Sequence, residues 1–374
     1  MILEARLACF VTLLRMPEMP PLDSVDLTSD CFRHFGHSNF DPSCVPSSKW
    51  EQCPIEKCSA HLVDVAFGKS SKPYCSAHGL RLHSKTFVYW NGESRVNEAR
   101  LRNFRIRPEL AAKLALGSSG KVESHRLGYE MSEDALSWNV FVGLAEAGKL
   151  RETTHFLTGR VLQSEPVLYL WGKRIDLTGK ETGRFTPLNA ARVILERGIG
   201  TYKTEPDIML VADGELIVCV EAKFGSGNPV AHEGSIKPDE KPTSREGLLE
   251  RYLNQSSART KAAIVSEQIG NEFHSQLFRN VVFASEMADE SDWHVVNLAS
   301  STQWKQARVA KGYSYSNPED SVRCYLSKNH KDCFSYRTWE NLHRALIRND
   351  PALRELDAYL RSKSAHFRPA FELG

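Results

Sequence analysis

Two apolar, β-branched runs, Ile208 to Val211 and Leu216 to Val220, flank Ala212-Asp213-Gly214-Glu215, and this passage most restricts what the chain can fold into. Runs of this length on either side of an Asp-Gly dipeptide read as an antiparallel hairpin. If the loop is Asp213 to Glu215, Ala212 pairs with Leu216 and Asp207 falls opposite Glu221. A two-residue turn would shift the register by one and leave the two acids as diagonal neighbours. Either register keeps the carboxylates within mutual reach, because facing cross-strand Cβ atoms lie about 4.5–5.5 Å apart. Strand side chains alternate between faces, so Glu221 and Lys223 point together while Ala222 points away. The second run is apolar on both faces, which suits a central strand covered by helices on each side.

Two carboxylates and an amine aimed at one spot are what metal-assisted phosphodiester hydrolysis requires. Pro206-Asp207 followed by Glu221-Ala222-Lys223 resembles the PD-(D/E)xK nuclease superfamily, the fold of many restriction endonucleases, over residues 125 to 300. The flanking segments suit that likeness. Ser132 to Phe141 reads as a helix capped by Ser132, with Glu133 and Asp134 in its first turn and Leu136, Val140 and Leu144 as an apolar stripe. Pro166 to Leu177 supplies a first strand, Ser244 to Ile269 a long helix with Leu248, Leu249, Tyr252, Leu253 and Ala258 facing the core, and Asn280 to Ser285 and His294 to Leu298 further strands.

The resemblance implies an α/β fold with a restriction-endonuclease-like core, a mixed sheet flanked by helices in the order α-β-β-β-α-β. It implies that Asp207 and Glu221 hold magnesium or manganese and that Lys223 positions or deprotonates the attacking water, or neutralises charge on the phosphate. Glu133 would complete the metal shell directly or through water, with Tyr252 and Gln255 as supporting residues. The expected activity is a deoxyribonuclease, an endonuclease of restriction or defence type acting on double-stranded DNA, with a homodimer suited to cutting both strands.

Upstream, Cys53, Cys58, Cys75 and His78 form C-x4-C, a spacer of 16 residues, then C-x2-H. Two short ligand clusters separated by a loop are what a closed tetrahedral structural zinc site needs. The segment resembles the small zinc modules found beside HNH-type endonucleases, although no HNH motif follows. His61 and His83 are alternative fourth ligands to His78. The chain has 9 cysteines, an odd number, and no clear export signal, which argues against a disulfide framework.

With a net charge of only +2, no global basicity advertises nucleic acid. Local charge is another matter. Arg81, Lys85, Arg95, Arg100, Arg102, Arg105 and Arg107 are interleaved with Phe87, Tyr89, Trp90 and Phe104. This is either a phosphate-tracking surface with stacking platforms, or a solvated face over a few core aromatics.

Residues 1–50 read as a loosely ordered segment, whose apolar stretch Leu7 to Leu14 is too short to span a bilayer. Residues 51–116 read as the zinc module and basic region, Gly117 to Gly120 as a linker within 117–124, and 301–374 as a helical C-terminal region. There, helices begin at Tyr336 and at Asp350-Pro351, with Trp339, Leu342 and Leu346 as core. The expected location is cytoplasmic, with no membrane partner. Two other readings compete: a non-catalytic zinc-containing nucleic-acid-binding protein that keeps the nuclease fold, and a zinc-stabilised protein-interaction module.

Overall fold

The computed structural model describes residues 50–67, 70–84, 86–90, 101–116, 125–180, 183–200, 203–231, 242–271, 273–301, 319–365 and 368–374. Expectations for the first 49 residues, the linker, Lys85, Arg95 and Arg100 lie outside them.

A small antiparallel sheet comes first: β1 (Val63–Phe67), β2 (Ser70–Cys75), β3 (Leu80–Leu82) and β4 (Phe87–Tyr89), in sequential order. Its own apolar cluster gathers Cys53, Cys75, Leu80, Leu82, Phe87 and Tyr89. Next come α1 (Glu133–Glu146), α2 (Leu150–Thr158), β5 (Val167–Leu170), β6 (Lys173–Arg174), α3 (Thr186–Leu195), β7 (Ile208–Ala212) and β8 (Leu216–Ala222). After β8 come α4 (Arg245–Leu248), widened into a π-type turn over Leu249–Leu253, then α5 (Ala258–Ala263), α6 (Ser275–Met287) and β9 (Asp292–Ala299). The described chain closes with β10 (Phe334–Thr338), α7 (Trp339–Leu342) and α8 (Arg354–Ser362), then a short pairing of Ser364–Ala365 with Arg368–Pro369.

The large sheet has the order β10-β9-β8-β7-β5-β6. β7 runs antiparallel to both its neighbours, β5 and β8, while β9 and β10 run parallel to β8. The architecture is thus a mixed α/β sheet flanked by helices. Alternation sorts its side chains into two clusters. Ile208, Leu210, Ala212, Leu216, Val218, Val220 and Ala222 pack on one side, with α1 and the C-terminal helices. Met209, Val211, Ile217 and Cys219 pack on the other, with α3, α4 and α6. A strand apolar on both faces is what two helical layers require.

The hairpin adopts the three-residue loop: Ala212 pairs with Leu216, and Ile208 with Val220. Gly214 makes this possible, since it takes φ +68° at the third turn position while Glu215 N donates to Ala212 O at 3.0 Å. Ser132 caps α1 by accepting from Ala135 N at 3.2 Å. The helix is buried all round from Ala135 to Leu144, so it is a core helix and not an amphipathic one.

Three expectations are corrected. Asn280 to Ser285 is not a strand but the middle of α6, which packs on β8 and β9. A helix buried on every side shows no 3.6-residue period, so its β-branched run imitates a strand. The long helix expected from Ser244 to Ile269 is broken between Leu253 and Ala258, where Ser256 Oγ donates to Tyr252 O at 2.6 Å and Ser257 recaps the chain by accepting from Thr260 N. Tyr336 begins no helix but lies in β10, and the following helix starts after Thr338, whose hydroxyl accepts from Asn341 N at 3.1 Å.

The stretch read as one basic region is divided between two cores, with Arg81, Phe87 and Tyr89 in the small sheet. Leu101, Phe104, Ile106 and Leu110 belong to the main core, held there by Asn139 of α1, which accepts from Arg105 N and Ile106 N at 2.6 and 2.9 Å. Trp339 and Leu342 are buried in the core as expected, and Leu346 packs against it partly exposed. No helix among the described residues is long and apolar enough to cross a membrane.

Candidate functional site

The site forms where the sheet stops. Asp207 sits one residue before β7, and the β7–β8 register carries it opposite Glu221. Its Oδ2 accepts from Ala222 N at 2.9 Å, which holds the carboxylate at the edge of the hairpin. Glu221 and Lys223 project to the same side, with Lys223 Nζ 2.7 Å from Glu221 Oε1. Lys223 N extends the parallel ladder by donating to Leu298 O at 2.7 Å, so the amine is placed by backbone as well as by charge.

Glu133 arrives from the other layer, at the N-terminus of α1. One of its oxygens lies 3.9 Å from Lys223 Nζ. The other accepts from Phe224 N at 2.8 Å, Ser226 N at 3.2 Å and Ser226 Oγ at 2.7 Å. Glu133 therefore grips the loop that follows Lys223. Trp339 anchors the same loop by donating its indole N–H to Lys223 O at 2.9 Å.

Glu221 and Lys223 are 4% and 5% exposed, so their charges sit in a medium that does little to screen them. Burial works against the Lys223 ammonium, but Glu221, Asp207 and Glu133 together outweigh it and hold the amine's pKa above the ordinary lysine value. Asp207 and Glu133 open onto a cleft of about 540 Å³, shared with Tyr129, Met131, Ser226 and Gln276.

Two residues here were not singled out in the sequence. Asn280 donates Nδ2 to Glu221 Oε2 at 2.8 Å, so both carboxylate oxygens are fixed. Gln276, one turn earlier on α6, lines the cleft. Their i, i+4 spacing was the available signal, hidden because Asn280 read as a strand residue. The expected supporting residues go elsewhere. Tyr252 is buried and donates to Glu196 Oε1 at 3.0 Å, and Gln255 is exposed within the helical break.

The second centre lies at the open end of the small sheet. Cys53, Cys58, Cys75 and His78 bring one ligand atom each to within 4.8 Å of one another. Cys58 Sγ is 3.7 Å from Cys75 Sγ, and His78 Nδ1 is 3.5 Å from the sulfurs of both Cys53 and Cys75. A tetrahedral zinc with bonds of about 2.3 Å to sulfur and 2.0–2.1 Å to nitrogen places neighbouring ligand atoms about 3.5–3.8 Å apart. The cluster fits a metal such as zinc.

Gly79, at φ +58°, turns the chain away from the ligand pair and into β3. Burial pushes the Cys53 and Cys75 thiols up and the His78 imidazole down, so ligation would release protons. The alternative ligands are not part of the cluster: His61 is exposed, and the His83 ring packs 5.5 Å from that of Tyr129.

Among the described residues of the basic run, three of the four arginines are spent on structure. Arg102 is buried, donates to Gly79 O and His78 O at 3.1 and 2.9 Å, and lies 4.8 Å from the Tyr89 ring. Arg81 is buried 5.5 Å from the Trp90 ring. Arg107 pairs with Glu109 and Glu146 and donates to Leu177 O. Only Arg105, half-buried, retains an unassigned guanidinium among the described members of that set. Phe87, Tyr89 and Phe104 are core, so they offer no base-stacking platform. Comparison with protein-family models, curated proteins and solved structures finds no match for this chain.

Proposed function

We propose that the protein is a metal-dependent phosphodiesterase, a deoxyribonuclease of the PD-(D/E)xK type. The observation that carries this reading is the meeting of Asp207, Glu221, Lys223 and Glu133 at one edge of the central hairpin, beside an open cleft. The element order around it, helix α1, strands β5, β7 and β8, helix α6 and strand β9, supports the same reading.

The donor set suits magnesium or manganese: hard carboxylate oxygens, with Asp207 on a cleft that has room for water and phosphate and Glu221 buried behind it. Asp207 and Glu221 would hold the ion. When bound, it supplies Lewis acidity toward a phosphoryl oxygen and lowers the pKa of water. Glu221 is kept in one rotamer by Lys223 and Asn280, so little reorganisation accompanies the reaction. Lys223, held charged by its three carboxylate neighbours, can donate to a phosphate oxygen and stabilise charge as it develops. A base role for Lys223 would require that carboxylate charge to be neutralised first, when burial alone would favour the free amine. Glu133 shapes the 224–226 loop and supports the floor of the cleft.

Zinc at Cys53, Cys58, Cys75 and His78 would be structural, since four protein ligands leave no open position. The alternative of a purely nucleic-acid-binding module draws no support from Arg81, Arg102 and Arg107, which are committed within the protein. Incubating zinc-loaded protein with plasmid, with and without magnesium, tests the proposal. Expected is magnesium-dependent cleavage abolished in Asp207→Ala and Lys223→Ala; intact plasmid with the folded wild type would reject it.

A further inference from the structure

The small sheet and the candidate cleft are physically continuous. Register pairs link Cys75 to Leu80 and Leu80 to Tyr89, so one lateral row runs from a thiol ligand across three strands. The row ends in a side chain: Tyr89 OH donates to Glu130 Oε2 at 3.1 Å. Backbone reinforces the junction, because Glu130 N donates to Phe87 O at 3.1 Å and Val88 forms a β-bridge with Tyr129. Arg102 adds a second tie, from the carbonyls of His78 and Gly79 to the ring of Tyr89.

Glu130 is 2% exposed and collects more than the tyrosine. Lys363, equally buried, lies 3.3 Å from its Oε2 and donates to its backbone oxygen at 2.7 Å, while Ser364 N donates to Oε1 at 3.1 Å. One carboxylate thus joins the thiol–imidazole module, the C-terminal segment and the stretch Tyr129 to Glu133. That stretch is the wall of the cleft. Tyr129 and Met131 line it, Ser132 caps α1, and Glu133 grips the loop after Lys223.

Resting on the nuclease reading, we propose that Glu130 is a positioning residue through which metal loading of the Cys53/Cys58/Cys75/His78 module sets the cleft wall, and with it the hold of Asp207 and Glu221 on their cation. The module then serves the site by fixing its geometry, in keeping with the commitment of its arginines to internal contacts. Glu130 touches neither substrate nor cation. It acts through Ser132 and Glu133.

Three full-length proteins test this: wild type loaded with zinc, wild type stripped of zinc, and zinc-loaded Tyr89→Phe, which removes only the hydroxyl donated to Glu130. Two readouts are taken on each, manganese binding by electron paramagnetic resonance and amide hydrogen exchange over residues 129–133 and 224–226. Stripping zinc should weaken manganese binding roughly tenfold, the usual effect of losing an outer-shell support. It should also speed exchange in both segments. Tyr89→Phe should weaken manganese about fivefold while keeping its zinc content. A rise in exchange in Tyr89→Phe without loss of manganese affinity would mark Glu130 as merely structural and overturn the proposal. So would unchanged exchange in the stripped protein. If zinc-loaded wild type binds no manganese, the nuclease reading fails. The exchange data then decide the coupling alone: faster exchange in both perturbed proteins keeps it, and no change removes it.

Discussion

Replacing Lys223 by methionine probes the central arrangement most directly. Glu221, Asp207 and Glu133 bring three negative charges against the single ammonium of Lys223. Lys223→Met keeps the apolar stem but leaves Glu221, 4% exposed, with Asn280 as its remaining partner. Breaking a buried pair by removing one member costs about 3–5 kcal/mol, because the other charge stays buried and uncompensated. At roughly 1.3 °C per kcal/mol for a chain of this size, zinc-loaded Lys223→Met should melt about 4–7 °C below wild type when magnesium is withheld.

Magnesium should then narrow the gap, since a cation held by Asp207 and Glu221 replaces the missing counter-charge. Saturation at a hundredfold over Kd contributes about 2.7 kcal/mol, or roughly 3–4 °C. The variant should respond more than wild type, which already carries one compensating ammonium. Thermal unfolding followed by circular dichroism, with and without magnesium, reads both quantities. A variant as stable as wild type without magnesium, or a gap that magnesium leaves unchanged, would show that these side chains do not share one buried site.

Further outcomes follow from other contacts. Purified protein should carry zinc at one ion per chain by elemental analysis, and both Cys58→Ser and His78→Ala should lose it and become protease-sensitive over residues 50–90; full zinc content in either would remove that ligand from the set. Asn280→Leu should cost about 1.5–3 kcal/mol in urea unfolding, the worth of a hydrogen bond to a buried carboxylate, and most of that loss should vanish in a Glu221→Leu background.

Stability should also fall with acid through His294. Burial lowers its pKa from 6.5 to about 3, and since Ser335 Oγ donates to Leu157 O, the His294 Nε2–H must donate to Ser335. Between these values the unfolded chain binds the extra proton, so stability is full above pH 6.5 and declines towards pH 3. The loss is up to about 3 kcal/mol by pH 4. His294→Gln should flatten that portion of a urea-midpoint profile, and an unchanged slope would assign the acid sensitivity elsewhere.

Local rules were enough wherever both partners lie close in the chain. The Asp213-Gly214 dipeptide marks the hairpin and narrows its register to two, period-two alternation puts Glu221 beside Lys223, and Ser132 caps α1, all over spans of a few residues. The thiol and imidazole spacing likewise announced its cluster, because C-x4-C and C-x2-H each fold as a local unit. What the letters could not supply is which long-range partner each polar group finds.

Arg102 and Arg81 look like a phosphate-binding surface until the fold buries them against Tyr89 and Trp90. Asn280 looks like a strand residue until α6 is enclosed on all sides and turns it toward Glu221. Glu130 and Lys363, separated by 233 positions, meet only when the C-terminal segment returns to the small sheet. Periodicity and capping depend on neighbouring dihedrals and are written in short stretches of sequence. Burial and the pairing of charges depend on how layers stack, and only the folded chain decides them.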